Sequence, residues 1–296
     1  MKNLAIFLIL FCASALPNWT QKIPRVIVIG FDGLGGYAFP NNNTPNINTL
    51  IQEGSYTFHA KAVVPSMSSP NWASMINGVS PSKHKIWGNH WKLDKFKNKT
   101  LCEGEKGEIS PTIFRLLRQQ LPNIKMDCIH DWDDFIRLTE KNIFNRAIDA
   151  KNEDETANEA VRLIFNDTPD FLFLHFDHVD HVGHEIGHNT PAYFKAVEKA
   201  DSLTGVIIHA LKEKGMYDET YIIITSDHGG RLRTHGGLTP QEINIPWIIR
   251  GPNIKKGHKI EATIKQYDTA ATIAKIFGIK VPDCWDGKAV MDVFEK

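Results

Sequence analysis

Phe171-Leu-Phe-Leu-His-Phe176 runs directly into Asp177-His-Val-Asp180-His-Val-Gly-His184-Glu-Ile-Gly-His188. The first six residues are almost continuously apolar, the signature of a strand buried on both faces of a parallel sheet. The stretch from His175 to His188 then holds five of the thirteen histidines, two aspartates and a glutamate. Imidazoles and carboxylates leaving a strand end are a ligand set for a first-row metal. A solvated His-rich loop would have the same composition, so the assignment needs partners elsewhere in the chain.

The pattern recurs on both sides of this stretch. Arg25-Val-Ile-Val-Ile-Gly-Phe31 hands over to Asp32-Gly33. Tyr221-Ile-Ile-Ile-Thr225 hands over to Ser226-Asp227-His228, and His235 follows after a short loop. In open α/β sheets, ligands lie outside the carboxyl ends of the strands, so Asp32, Asp177/Asp180/His184 and Asp227/His228/His235 are expected in one crevice. Between the strands, helices are expected over 45–53, from Trp72 to Asn77, over 111–120, over 150–165, over 191–214 and over 268–277. Further strands are expected over 60–64, 124–129 and 246–250, with an edge strand over 259–265. Residues 90–110 carry no period and read as a long surface excursion. Strands alternating with helices give an α/β domain around a largely parallel sheet.

The chain has 296 residues, 42% hydrophobic, enough for a substantial core. Basic and acidic residues balance at 34 each, so net charge points to neither duplex nucleic acid nor an anionic membrane. Lys2, the apolar run from Leu4 to Phe11 and Ala13-Ser-Ala15 form a signal-peptide pattern, and we expect cleavage after residue 15. That run is short of the ~20 residues a membrane span needs. With no composition break after residue 24, one domain is expected over 24–296, secreted or periplasmic. Cys102, Cys128 and Cys284 remain in the mature chain, and the sequence leaves open which two could pair.

Phe31-Asp-Gly33, Thr44-Pro-Asn46, Pro65-Ser-Met-Ser-Ser-Pro-Asn71, the residues from His84 to Asn89, Asp180-His-Val-Gly-His184, Ser226-Asp-His-Gly229 and Thr234-His-Gly-Gly237 together resemble the alkaline phosphatase superfamily. The branch is that of type I phosphodiesterases and nucleotide pyrophosphatases. The resemblance implies a three-layer α/β/α sandwich and two zinc ions. Asp180, His184 and His235 would hold one ion. Asp32, Asp227, His228 and the nucleophile would hold the other. Three Asp and three His also suit zinc by donor chemistry alone. The nucleophile is expected two residues before the Pro-Asn pair, at Ser68, with Ser69 as the alternative. Asn89 would donate to a phosphoryl oxygen. Such a centre implies an exported phosphoester hydrolase working through a covalent phosphoserine on a small, nucleotide-like substrate.

The sequence departs from the family in three places. A serine stands where many diesterases have threonine, Lys85 follows His84 where glycine is usual, and only six residues separate His228 from His235. A phosphate monoesterase on the same scaffold is the alternative, and a non-catalytic exported zinc-binding protein is the rival from another class. A sulfatase would need a Cys/Ser-x-Pro-x-Arg context, and Ser68-Ser-Pro-Asn-Trp72 lacks the arginine. Asp177 and His181 share the four-residue spacing of Asp180 and His184 and are expected to orient ligands or touch substrate. Trp72 is a further candidate of that kind.

Overall fold

The computed structural model describes residues 23–93, 101–102 and 109–295. The leader expected over 1–15 and most of the 90–110 excursion lie outside these residues. In chain order the strands and α-helices are β1 (Arg25–Phe31), α1 (Pro45–Gln52), β2 (Ser55–Lys61), α2 (Ser68–Asn77), α3 (Pro81–His84), α4 (Ile113–Gln120), β3 (Met126–His130), α5 (Asp133–Ile136), β4 (Arg146–Asp149) and α6 (Glu153–Asn166). There follow β5 (Phe171–Phe176), α7 (His178–Glu185), α8 (Pro191–Glu213), β6 (Thr220–Ser226), α9 (Pro240–Ile243), β7 (Asn244–Arg250), β8 (His258–Lys259) and α10 (Asp268–Phe277).

The strands form one sheet in the order β4-β3-β5-β1-β6-β7-β2-β8. All neighbouring pairs are parallel except those of β7, which runs against both β6 and β2. Successive side chains of a strand face opposite ways. Val26 and Val28 of β1 therefore join one apolar cluster with α2, α4 and α10, while Ile27 and Ile29 join another with α1, α6 and α8. The result is the three-layer α/β/α architecture around a largely parallel sheet.

Two expected strands differ. The strand placed at 60–64 spans Ser55–Lys61, because the chain turns straight from α1 through Gly54 into the sheet. A Cβ on Gly54 would lie 2.1 Å from the Ile249 carbonyl oxygen, so only glycine fits that turn. The edge strand placed at 259–265 reduces to His258–Lys259 and one isolated bridge from Lys265 to Lys61. The edge chain thus pairs with β2 at Ser55–Tyr56 and again at Lys61. Helix α2 begins at Ser68 rather than Trp72, which puts both candidate serines in its first turn.

For the site, the decisive feature is that β5, β1 and β6 are adjacent and parallel. Phe31 pairs with Phe176 on one side and with Ser226 on the other. The residues that follow these three strands therefore emerge side by side.

Candidate metal centre

Asp32 follows β1 and is buried. Its Oδ2 accepts from the Trp72 indole Nε1 at 2.9 Å and lies 3.4 Å from His175 Nε2. Its Oδ1 is buried, has no protein partner, and lies 3.5 Å from His228 Nε2. Asp227 is arranged in the same way. Gly33 N donates to Oδ1 at 3.1 Å, while the buried Oδ2 is without a hydrogen bond and sits 3.1 Å from His228 Nε2. Each carboxylate thus has one oxygen anchored by the protein and one turned inward.

The histidines obey a matching rule. His228 Nδ1 donates to the Gly229 carbonyl at 2.9 Å, His235 Nδ1 to that of Ser66 at 2.9 Å, and His184 Nδ1 to that of Arg233 at 3.0 Å. A carbonyl only accepts, so each ring carries a proton on Nδ1 and turns Nε2 toward the centre, where Asp180 beside His184 raises that imidazole's pKa to about 9. All three Nε2 atoms point into the centre. Those of His184 and His235 are 3.1 Å apart, with Asp180 Oδ2 at 3.1 and 3.8 Å from them. The His228 ring stacks on that of His235 with centroids 3.7 Å apart, joining the two halves.

Ligands about 2.0–2.1 Å from a tetrahedral zinc are roughly 3.3 Å from one another. The spacings above bracket that value. Two groups, Asp32/Asp227/His228 and Asp180/His228/His235, each place their ligand atoms within 4.8 Å of one another. Charge points the same way. Burial, and then the neighbouring Asp32 and Asp180, push the Asp227 carboxyl far above its ordinary range. Three carboxylates converge here with too little positive charge from the protein itself. Inward imidazole nitrogens, unpartnered buried oxygens and converging carboxylates together fit a divalent cation centre.

Ser68 stands at this centre, 4% exposed, with its Oγ 3.3 Å from His228 Nε2. Asn89 is held beside it. Its Oδ1 accepts from Ser69 N at 2.9 Å, which turns its Nδ2 toward Ser68 Oγ at 3.5 Å. Ser69 Oγ is buried without a partner, and Ser66 Oγ bonds Gly237 O at 2.8 Å. Asn71 laces the loop that leads into α2. Its Nδ2 donates to the carbonyls of Val63, Pro65 and Met67, and its Oδ1 accepts from Val63 N.

The remaining expected residues divide. Trp72 is fully buried with its indole N–H on Asp32 Oδ2, so it fixes that carboxylate and is closed off from solvent. Gly30 makes room for it, since a Cβ there would lie 2.6 Å from the indole. Asp177 stands at the start of α7 without a side-chain capping bond, and its backbone N–H donates to Asp131 Oδ1 at 2.8 Å. Burial, with the Asp32 charge added, pushes its carboxyl up to about 7. His181 corrects the expectation. Its side chain is 61% exposed and faces Glu185 on the solvent side of α7, because the helix turns that position away from Asp180.

Other histidines of the opening stretch have definite places. His178 Nε2 donates to Ala196 O at 2.9 Å and pins α7 to α8. His188 is buried against Gly183 and Gly230, 3.7 Å from Asp180 Oδ1. His175 is buried between Asp32 and Asp131, 3.4 Å from a carboxylate oxygen of each. Asp131 escaped notice although it directly follows β3, a fourth case of the strand-to-carboxylate pattern. Away from the centre, Cys102 bridges to Cys284 while Cys128 is free and buried.

A sequence model of the type I phosphodiesterase / nucleotide pyrophosphatase family matches residues 26–231. The chain belongs to this family. The human bis(5'-adenosyl)-triphosphatase is 24% identical over 225 residues, 73% of this chain and 48% of that protein. The catalytic subunit of human GPI ethanolamine phosphate transferase 2 is 24% identical over 311 residues, 96% of this chain and 30% of its own. This member of the family thus spans less than half the length of either relative. Murine ectonucleotide pyrophosphatase/phosphodiesterase 5, in an inactive variant bound to AMP, superposes with a TM-score of 0.76 at 13% identity. That match covers 92% of this chain and all of the other. A 2-O glycosaminoglycan sulfatase, BT1596, has the same TM-score at 16% identity, covering 93% and 75% of the two chains. Both share the alkaline-phosphatase-like fold.

Proposed function

We propose that this protein is an exported, zinc-dependent phosphoester hydrolase of the phosphodiesterase / nucleotide pyrophosphatase type, with Ser68 as nucleophile. The observation that carries the reading is the position of Ser68 Oγ, 3.3 Å from the imidazole that joins the two ligand groups and 3.5 Å from Asn89 Nδ2. Two zinc ions held by Asp180, His184 and His235 and by Asp32, Asp227, His228 and Ser68 would supply Lewis acidity and lower the pKa of the serine hydroxyl.

Ser68 Oγ attacks phosphorus, the bond to the leaving oxygen breaks on the opposite side, and a phosphoseryl ester results. Water then displaces Ser68 and releases the phosphate product. Asn89 donates through Nδ2 to a non-bridging oxygen, with its amide already oriented by Ser69 N–H. The first turn of α2 presents further N–H groups to the same anion. No helix of the described residues is long and apolar enough to cross a membrane.

Diesters are favoured over monoesters by the fate of Arg137, the guanidinium that reaches Asn89. It is committed to the Asn89 carbonyl and to Asp134, so it does not clamp an extra phosphate charge. Rates on a nitrophenyl nucleotide diester and on nitrophenyl phosphate separate the two, and a monoester preference would reverse the assignment. Ser68→Ala should retain zinc and lose at least ~10³-fold in turnover, while Ser69→Ala stays within a few-fold. Net retention at phosphorus should accompany the double displacement, whereas inversion would refute the covalent intermediate.

A further inference from the structure

His235 reaches the centre from a loop with little apolar support. Residues 231–234 and Leu238 are exposed, whereas the His235 side chain, 6% exposed, turns inward. So few buried apolar contacts do not offset the entropy of holding a loop in one conformation. Polar anchors hold it instead. On the α7 side, Arg233 O accepts from His184 Nδ1 at 3.0 Å and Leu232 O from His188 N at 2.6 Å. At the base of the loop, the Glu242 carbonyl accepts from Gly229 N at 2.9 Å. The Glu242 carboxylate accepts from Gly237 N at 2.8 Å and from Thr239 N at 3.1 Å.

On the α2 side the anchor is Ser66, which is fully buried. Its Oγ donates to Gly237 O at 2.8 Å and accepts from Gly236 N at 3.1 Å. Its carbonyl accepts from His235 Nδ1 at 2.9 Å. One residue thus grips three successive loop positions. Gly236 lies at φ +114°, a conformation open to glycine, and there its N–H meets the hydroxyl. Ser66 is also two residues from Ser68, and Met67 between them is the N-cap of α2. Any shift of the loop at Gly236 and Gly237 therefore bears on the start of that helix. The bonds that orient the other candidate ligands take a different route. Asp32 is held by Trp72 and His175, Asp227 by Gly33 N, and His228 by the Gly229 carbonyl.

We propose that the Ser66 hydroxyl is a positioning group that latches the His235 loop to the start of α2. His235 and Ser68 then take their places together. Alanine at position 66 keeps the carbonyl bond to His235 but leaves Gly236 N and Gly237 O to water, so the loop loosens without loss of the fold. The loosening falls on the zinc proposed at Asp180, His184 and His235, and not on the one proposed at Asp32, Asp227 and His228. The effect on Ser68 rests on the hydrolase reading, and the effect on His235 does not.

The test compares the full-length parent protein with Ser66→Ala and Ser66→Thr. Chelator competition should show one zinc weakened about tenfold or more in Ser66→Ala, with the other within about threefold of the parent. Ser66→Thr, which keeps the hydroxyl, should restore the weakened ion. Amide hydrogen exchange reads the latch directly in the zinc-loaded protein. In Ser66→Ala the Gly236 N–H should exchange about tenfold faster or more, while the Gly237 N–H on Glu242 and the amides of β1 stay within about threefold. Parent-like binding of both ions, or Gly236 exchange indifferent to the hydroxyl, overturns the latch. Equal weakening of both ions, or a threonine variant no better than alanine, assigns Ser66 to packing and also overturns it. With zinc supplied to fill both sites, Ser66→Ala should lose about tenfold in kcat on a nitrophenyl nucleotide diester. A parent-like kcat there overturns the effect on Ser68. No turnover of nitrophenyl esters by the zinc-loaded parent overturns the hydrolase reading and the effect on Ser68 with it, while the latch on His235 is still decided by zinc binding and exchange.

Discussion

Replacing Trp72 with phenylalanine tests how the centre is held. The indole is fully buried in α2, and its N–H donates to Asp32 Oδ2 at 2.9 Å. That bond turns Oδ1 inward toward His228 Nε2 at 3.5 Å. Phenylalanine removes the donor and leaves a void over Gly30, where the far edge of the indole now lies. A hydrogen bond to a buried carboxylate contributes about 1.5–3 kcal/mol. His175 Nε2, 3.4 Å from the same oxygen, offers partial compensation, so the lower half of that range applies. The void adds about 1–3 kcal/mol of packing loss. Packing loss falls equally on metal-free and metal-loaded protein, whereas loss of carboxylate orientation falls on the loaded protein alone. Zinc affinity should therefore drop about 10–100-fold, as for other partners of metal ligands. That corresponds to about 1.4–2.7 kcal/mol of extra destabilisation in the presence of zinc. Chelator competition measures the affinity, and urea denaturation with and without zinc separates the two losses. Affinity within twofold of the parent protein would refute the reasoning. A raised KM with unchanged zinc affinity would instead make Trp72 a substrate contact.

Further predictions concern positions away from the ligands. His84 is buried, its Nδ1 accepts from Ile86 N–H at 3.0 Å, and its Nε2 meets Ser74 Oγ at 2.9 Å. Burial pushes its pKa down to about 3, so between pH 6.5 and 3 the unfolded chain binds the extra proton. Stability should fall through that window by up to about 5 kcal/mol from this residue, and His84→Asn should flatten the urea-denaturation profile between pH 7 and 4. An unchanged slope would show that the ring is not held neutral. Lys85 sits at φ +65° as the C-cap of α3, so Lys85→Gly should stabilise by about 0.5–1 kcal/mol in thermal or urea unfolding. A destabilising result would mean that the lysine makes a contact worth more than its backbone strain. His181→Ala should leave stability within about 0.5 kcal/mol and zinc affinity within twofold, because its ring lies in solvent. A larger drop in zinc affinity would return His181 to the centre.

Much of the fold is legible along the chain. β1, β5 and β6 announce themselves as apolar β-branched or aromatic runs, and Asp32, Asp180 and Asp227 are marked by where those runs stop. The Asp180/His184 pair is legible too, since four residues on a helix is one turn, and α7 supplies that turn. The His181 error has the same origin. Spacing shows that two side chains share a face, but not which face meets the protein. Asp131 is harder to read because Asp127 and His130 interrupt the apolar run of β3 just before it. The edge expected over 259–265 differs because alternation does not fix pairing, and that chain meets β2 only at its two ends.

What the sequence alone determined is the class of chemistry, because donor atoms at the ends of buried strands follow from local composition and period. The tertiary structure decided how those donors are aimed. His235 presents Nε2 because its Nδ1 is bound to the Ser66 carbonyl, 169 residues away. Ser68 rather than Ser69 faces the centre because of the way α2 is rotated against His228. Asp32 offers one oxygen because Trp72 and His175 occupy the other. These are long-range contacts between segments, and they exist only once the sheet has brought its strand ends together.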